Sequence, residues 1–114
     1  MRSWYPIPAS ELDNKRLLGE HNELLIMART IHLGRRGWAN HPETNRWRGH
    51  SKAMRDRHNE IADEMTKRGM NHKSPWPGYL VVESDTSAFP KTIEPVSQMR
   101  TKLKAKMLQS LTKT

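Results

Sequence analysis

The sequence predicts an all-α fold, a single compact domain of three main helices joined by long connecting loops. Three observations lead there. Apolar residues recur at intervals of three, four and seven in three separate stretches, the period of a one-sided helix. Each stretch is bounded by glycine or proline. The 114 residues suit one small domain spanning 1–114. A chain of this size buries only about two-thirds of its unfolded surface. With 34% hydrophobic residues, a single Phe and a mean hydropathy of −0.91, the core must come from Leu, Ile, Met and four Trp.

The first helix is expected from about residue 10 to 33. Ser10 serves as its N-cap, Asp13 completes a weak capping box, and Leu17, Leu18, Leu24, Leu25, Ala28 and Ile31 form its apolar stripe. Gly34, with Arg35, Arg36 and Gly37 behind it, is the stop signal. His21 falls at the edge of the stripe as a hydrogen-bonded boundary residue. A polar loop follows from Trp38 to Asn45, in which Pro42 disfavours helix at the residue before it.

The second helix runs from Gly49 or Ser51 to Arg68, with Ala53, Met54, Ile61, Ala62 and Met65 as its apolar set, His58 half buried and Gly69 as its end. Between Asn71 and Pro90 the breakers Pro75, Pro77, Gly78 and Pro90 surround a short β-like run, Tyr79 to Val82. This predicts an ordered crossing segment packed by Trp76 and Tyr79. The third helix opens near Glu94-Pro95, proline suiting a first turn. It carries Val96, Met99, Leu103, Met107 and Leu111.

Charge and composition narrow the chemistry. Twenty Lys and Arg against twelve Asp and Glu give +8, with a pI near 10.2, and such a balance points first to nucleic acid. The last fifteen or so residues add Arg100, Lys102, Lys104, Lys106 and Lys113 with no acid, a segment suited to phosphates. No run approaches the roughly 20 apolar residues of a membrane span, and Met1-Arg2-Ser3-Trp4 lacks the apolar core of a signal peptide. A soluble protein without a membrane partner is expected, acting in the cytoplasm of a bacterial or phage-infected cell. Without cysteine there is no disulfide, thiol nucleophile or thiolate zinc site.

Several words in register carry a resemblance. They are Met1-Arg2 at the start; Ser10-Glu11-Leu12, Leu17, Glu20 and Glu23-Leu24 in the first helix; Pro42 and Gly49-His50 before the second; Ile61-Ala62 through Lys67-Arg68-Gly69 at its end; and Ser97-Gln98-Met99-Arg100 in the third. The chain thereby resembles the pyrimidine-dimer DNA glycosylases, the phage endonuclease V type. The resemblance implies a DNA glycosylase with abasic-site lyase activity, acting as a monomer on pyrimidine dimers in duplex DNA without metal or cofactor. Its catalytic pair would be the amine of Met1 and the carboxylate of Glu23.

A terminal amine has an ordinary pKa of about 7.7–8.0 against about 10.4 for Lys, so an appreciable neutral fraction exists near pH 7. Arg2 beside it would depress the value further and could hold a phosphate. Initiator Met is removed before small residues, and Arg2 is large, so Met1 is expected to stay. Glu23 would stabilise the charge developing on the sugar and then assist loss of the 2′ proton. Where the phage enzyme has Arg beside its catalytic Glu and again three residues on, this chain has Asn22 and Ile26, and it lacks the aromatic tail. The DNA-binding set is therefore expected among Arg2, Lys15, Arg16, Asn22, Arg29, Arg46, Arg48, His50, Lys52 and Arg100. The lesion stays open between a pyrimidine dimer, another damaged base and an abasic site.

Other classes fit less of the chain. His41, His50 and His58 lack the second clustered pair a metal nuclease needs. Trp4, Trp38 and Trp47 read first as core residues, with stacking on a nucleotide as the other role. A small basic protein that keeps the fold but only binds DNA, or a host protein, without catalysis is the alternative.

Overall fold

The first long helix starts where a side chain can satisfy its free backbone donors. The structure, a computed structural model, describes residues 3–34, 41–71, 75–92 and 94–112. Helix α1 is Asn14–Leu33, and its cap is Asp13, whose Oδ1 accepts the Arg16 amide at 3.1 Å. Ser10 lies instead in a short 3₁₀ turn, Ala9–Glu11, so the helix begins four residues later than the sequence predicts. Asp13 acts as the cap because its carboxylate meets a free backbone donor three residues on, the Arg16 amide. Gly34 closes α1 in the left-handed region at φ 62°, as its position suggested. Arg35, Arg36 and Gly37 lie outside the described residues.

The expected polar loop is partly helical. Helix α2, Pro42–Trp47, has proline in its first turn, Glu43 beside it, and His41 as the cap, its Nδ1 accepting the Glu43 amide at 3.2 Å. Helix α3, Ser51–Lys67, ends just before Gly69, which has φ 78°. The β-like run is a 3₁₀ turn, Gly78–Leu80, and the described residues contain no strand. Pro77 leads directly into that turn, and with no adjacent strand a lone run of four has nothing to pair with. Trp76 packs inside as expected, whereas Tyr79 is 55% exposed. Helix α4, Val96–Thr112, is the third long helix. None of the helices among the described residues is long and apolar enough to cross a membrane.

The core gathers on the faces the periodicity marked, with additions. Leu17, Leu24, Met27 and Ala28 of α1 meet Ala53, Met54, Ile61 and Met65 of α3. Trp4, Ile7, Leu12, Trp47, Trp76 and Leu80 fill between them, and α4 adds Met99 and Leu103. Leu18 and Leu111 of the expected stripes face solvent. Tyr5 stacks on Phe89 with centroids 4.4 Å apart and meets Trp47 edge-on. The radius of gyration, 14.2 Å, is near the roughly 13 Å of a compact chain this long.

Glu20, His21, Arg57 and His58 lie deep between α1 and α3. Arg57 donates to both oxygens of Glu20, at 2.6 and 3.0 Å, and to Glu60 at 3.1 Å. Burial would pull the Arg57 guanidinium down. The hydrogen bond and charge of Glu20, then those of Glu60, overcome burial and hold it above its ordinary value. His21 and His58, both buried, face each other with Nε2 atoms 3.1 Å apart, so His58 is more deeply set than the sequence indicates.

Candidate active site

Helix geometry puts Gly19, Glu20 and Glu23 on one face of α1, and Lys15 and Arg16 a turn earlier on the same side. These five, with Trp4 from the first segment and Lys106 from α4, line an open cleft of about 270 Å³. Three cations and two carboxylates meet there.

The two carboxylates are not equivalent. Glu20 is 1% exposed, and its oxygens accept from Arg57, the Ser3 hydroxyl at 2.9 Å and the Trp4 amide at 2.8 Å. Its lone pairs are committed to holding the fold. Glu23 is half-buried at the cleft wall, and no hydrogen bond or ion pair holds it among the described residues. Only Glu23 can accept a new proton or face a new positive charge without breaking a structural bond.

The first described residues are fastened beside it. Ser3 is fully buried, and its amide donates to Glu43 Oε2 at 2.9 Å while its hydroxyl donates to Glu20. Glu43 is in turn 3.5 Å from Arg46. Met1 and Arg2 themselves lie outside the described residues, as does Trp38.

Of the cations expected to bind DNA, the fold brings Lys15 and Arg16 to the cleft. Arg16 is steered there by α4, donating to Ser110 Oγ at 2.6 Å and to the Lys106 carbonyl at 3.0 Å. The others sit elsewhere. Asn22 is exposed, its Oδ1 3.2 Å from His21 Nδ1, and Arg29 is half-buried farther along α1. Arg46 is turned inward, donating to the Tyr5 carbonyl at 2.9 Å and lying over the Tyr5 and Trp47 rings. Arg48 bonds Asn45 at 3.0 Å. His50 and Lys52 hold the crossing segment through the Ala88 and Glu83 carbonyls, at 2.8 and 2.9 Å. Arg100 makes a two-pronged contact with Glu11, at 3.2 and 3.1 Å, which keeps the Glu11 carboxyl below its ordinary range.

Lys106 is the cleft cation that spacing alone did not single out. Its ammonium lies 5.6 Å from the centre of the Trp4 ring, and the signal for it was its place in the acid-free run of the third helix. Among the described residues, no three His, Asp or Glu side chains are grouped to hold a metal ion.

Comparison with known families decides the assignment: the model described as pyrimidine dimer DNA glycosylase matches residues 1–78. The chain belongs to this family. As a pyrimidine dimer DNA glycosylase family member it is a DNA repair glycosylase, and DNA is its substrate. No curated protein and no solved structure matches it. Within this glycosylase the match covers α1, α2 and α3, whereas α4, which supplies Lys106 and steers Arg16, lies beyond it.

Proposed function

We propose that the protein cleaves a glycosidic bond of a pyrimidine dimer in duplex DNA and then cuts the strand as an abasic-site lyase, acting as a monomer in the cytoplasm of a bacterial or phage-infected cell. The amine of Met1 attacks C1′ of the damaged nucleotide, the glycosidic bond breaks, and the base leaves with its electron pair. The sugar ring opens as the nitrogen becomes an iminium. Loss of the 2′ proton, assisted by Glu23, expels the 3′ phosphate by β-elimination. Water then hydrolyses the imine and frees the amine.

The observation that carries this reading is the unengaged carboxylate of Glu23 in a cleft walled by Lys15, Arg16 and Lys106, beside the buried Ser3–Trp4 segment. Two residues of chain reach at most about 7 Å, so a group attached there is tethered to this neighbourhood. The three cations suit the phosphates flanking a lesion, and they supply charge that Asn22 and Ile26 do not. A damaged site costs less to unstack, which favours lesions without base-edge reading.

Borohydride trapping on duplexes with a pyrimidine dimer or an abasic site tests the proposal. A covalent adduct mapped by peptide sequencing to Met1, abolished by blocking the amine and reduced at least about 100-fold in Glu23→Gln, is the expected result. Salt-sensitive binding with no adduct on either duplex overturns it in favour of a DNA-binding relative without catalysis.

A further inference from the structure

Two carboxylates, on two different helices, are spent on the backbone and hydroxyl of residues 3 and 4. Glu20 of α1 takes the Ser3 hydroxyl and the Trp4 amide, and Glu43 of α2 takes the Ser3 amide at 2.9 Å. Both are buried, at 1% and 7% exposure, and burying a carboxylate is costly unless it is paired and hydrogen-bonded. Each has its own guanidinium, Arg57 for Glu20 and Arg46 for Glu43. Seating α2 does not call for the second of them, because Trp47 at the end of that helix is fully buried and already anchors it.

Resting on the amine mechanism proposed above, we propose that Glu43 is a positioning residue for the amino-terminal nucleophile. A chain end is ordinarily the most mobile part of a domain. Attack on C1′ needs the nitrogen held within about 3–3.5 Å of the carbon, and a misplacement of about 1 Å can cost on the order of 100-fold. Glu43 grips the amide of Ser3, the described residue nearest in sequence to the proposed nucleophile. The balancing guanidinium of Arg46 matters as much, because a bare carboxylate nearby would favour the protonated amine, which cannot attack. The Glu43–Arg46 pair supplies an acceptor without supplying net negative charge.

Two substitutions separate reach from charge. Glu43→Gln keeps the side-chain length and one acceptor oxygen but loses the charge, whereas Glu43→Asp keeps the charge and withdraws the acceptor by one methylene. Both are compared with wild type by single-turnover borohydride trapping on abasic-site duplex across pH, by affinity for a duplex bearing a tetrahydrofuran abasic analogue, and by urea unfolding. Glu43→Asp is expected to trap about 10- to 100-fold more slowly at the plateau, with affinity and the pH midpoint unchanged, and Glu43→Gln to recover most of the rate. The positioning role is overturned by Gln slower than Asp, by wild-type rates in both, or by a fall in trapping that follows loss of the fold. If wild type itself gives no adduct at Met1, the amine mechanism fails, and this inference falls with it.

Discussion

At the residue scale, one helix carries two glutamates a turn apart that do opposite work. Glu20 is saturated by donors and Glu23 faces the cleft with its lone pairs available. Removing the partner of the first leaves a buried charge unpaired, so Arg57→Met is expected to lower unfolding free energy by about 3–5 kcal/mol in urea titration. Adding Glu20→Gln to it should restore part of the loss, since an amide oxygen still accepts from Ser3 or Trp4. Glu23→Gln, by contrast, should leave stability within about 0.5 kcal/mol of wild type. Sequence could mark both glutamates as helical but could not rank them. What separates them is Arg57, 37 positions away, and no spacing rule reports a partner at that distance. Only its register with Met1-Arg2 and the rest of the family words sets Glu23 apart in the sequence. Glu43 falls in the polar loop that hydropathy patterning predicts, although Pro42-Glu43 behind His41 is the composition of a helix start.

At the scale of elements, the periodic stripes and glycine stops predicted three long helices, and α1, α3 and α4 lie there. Boundaries depended on caps that compete. Asp13 and Ser10 both qualify in sequence, and only the bond from the Arg16 amide shows which one acts. Asp13→Ala is therefore expected to cost about 1 kcal/mol in thermal unfolding, and Ser10→Ala almost nothing. The tie between α4 and the first segment has its own signature. Because Arg100 lowers the folded-state pKa of Glu11, its contribution is present above the ordinary carboxylate range and disappears as pH falls through the folded value. The stability difference between wild type and Arg100→Gln should thus be small near neutrality, shrink further in high salt, and vanish in acid. Chemical denaturation across that range measures it.

At the scale of the whole molecule, a net charge of +8 says that DNA is attracted, and the fold says where three of the charges converge. Each phosphate contact contributes about 0.9 to the slope of log affinity against log salt. Lys15→Ala combined with Lys106→Ala is expected to reduce that slope by about 1.8, whereas Arg46→Lys, altering an inward-facing guanidinium, should act on stability instead. Fluorescence anisotropy at several salt concentrations distinguishes the two. The contacts of α4 with the first helix and the turn before it join residues 89 to 94 positions apart. Contacts so distant in sequence close the largest loops and form late, after local helices have met. Among the described residues of α4 only Met99 and Leu103 are buried, so this helix should also open first, and its amides should exchange with solvent at lower free energy than those of α1 and α3. Time thus enters the design: a nascent chain emerging from the ribosome can pack α1 against α3 before α4 exists, yet its cleft lacks one wall until α4 arrives. Competence for DNA would then be the last property acquired in folding and the first surrendered on heating.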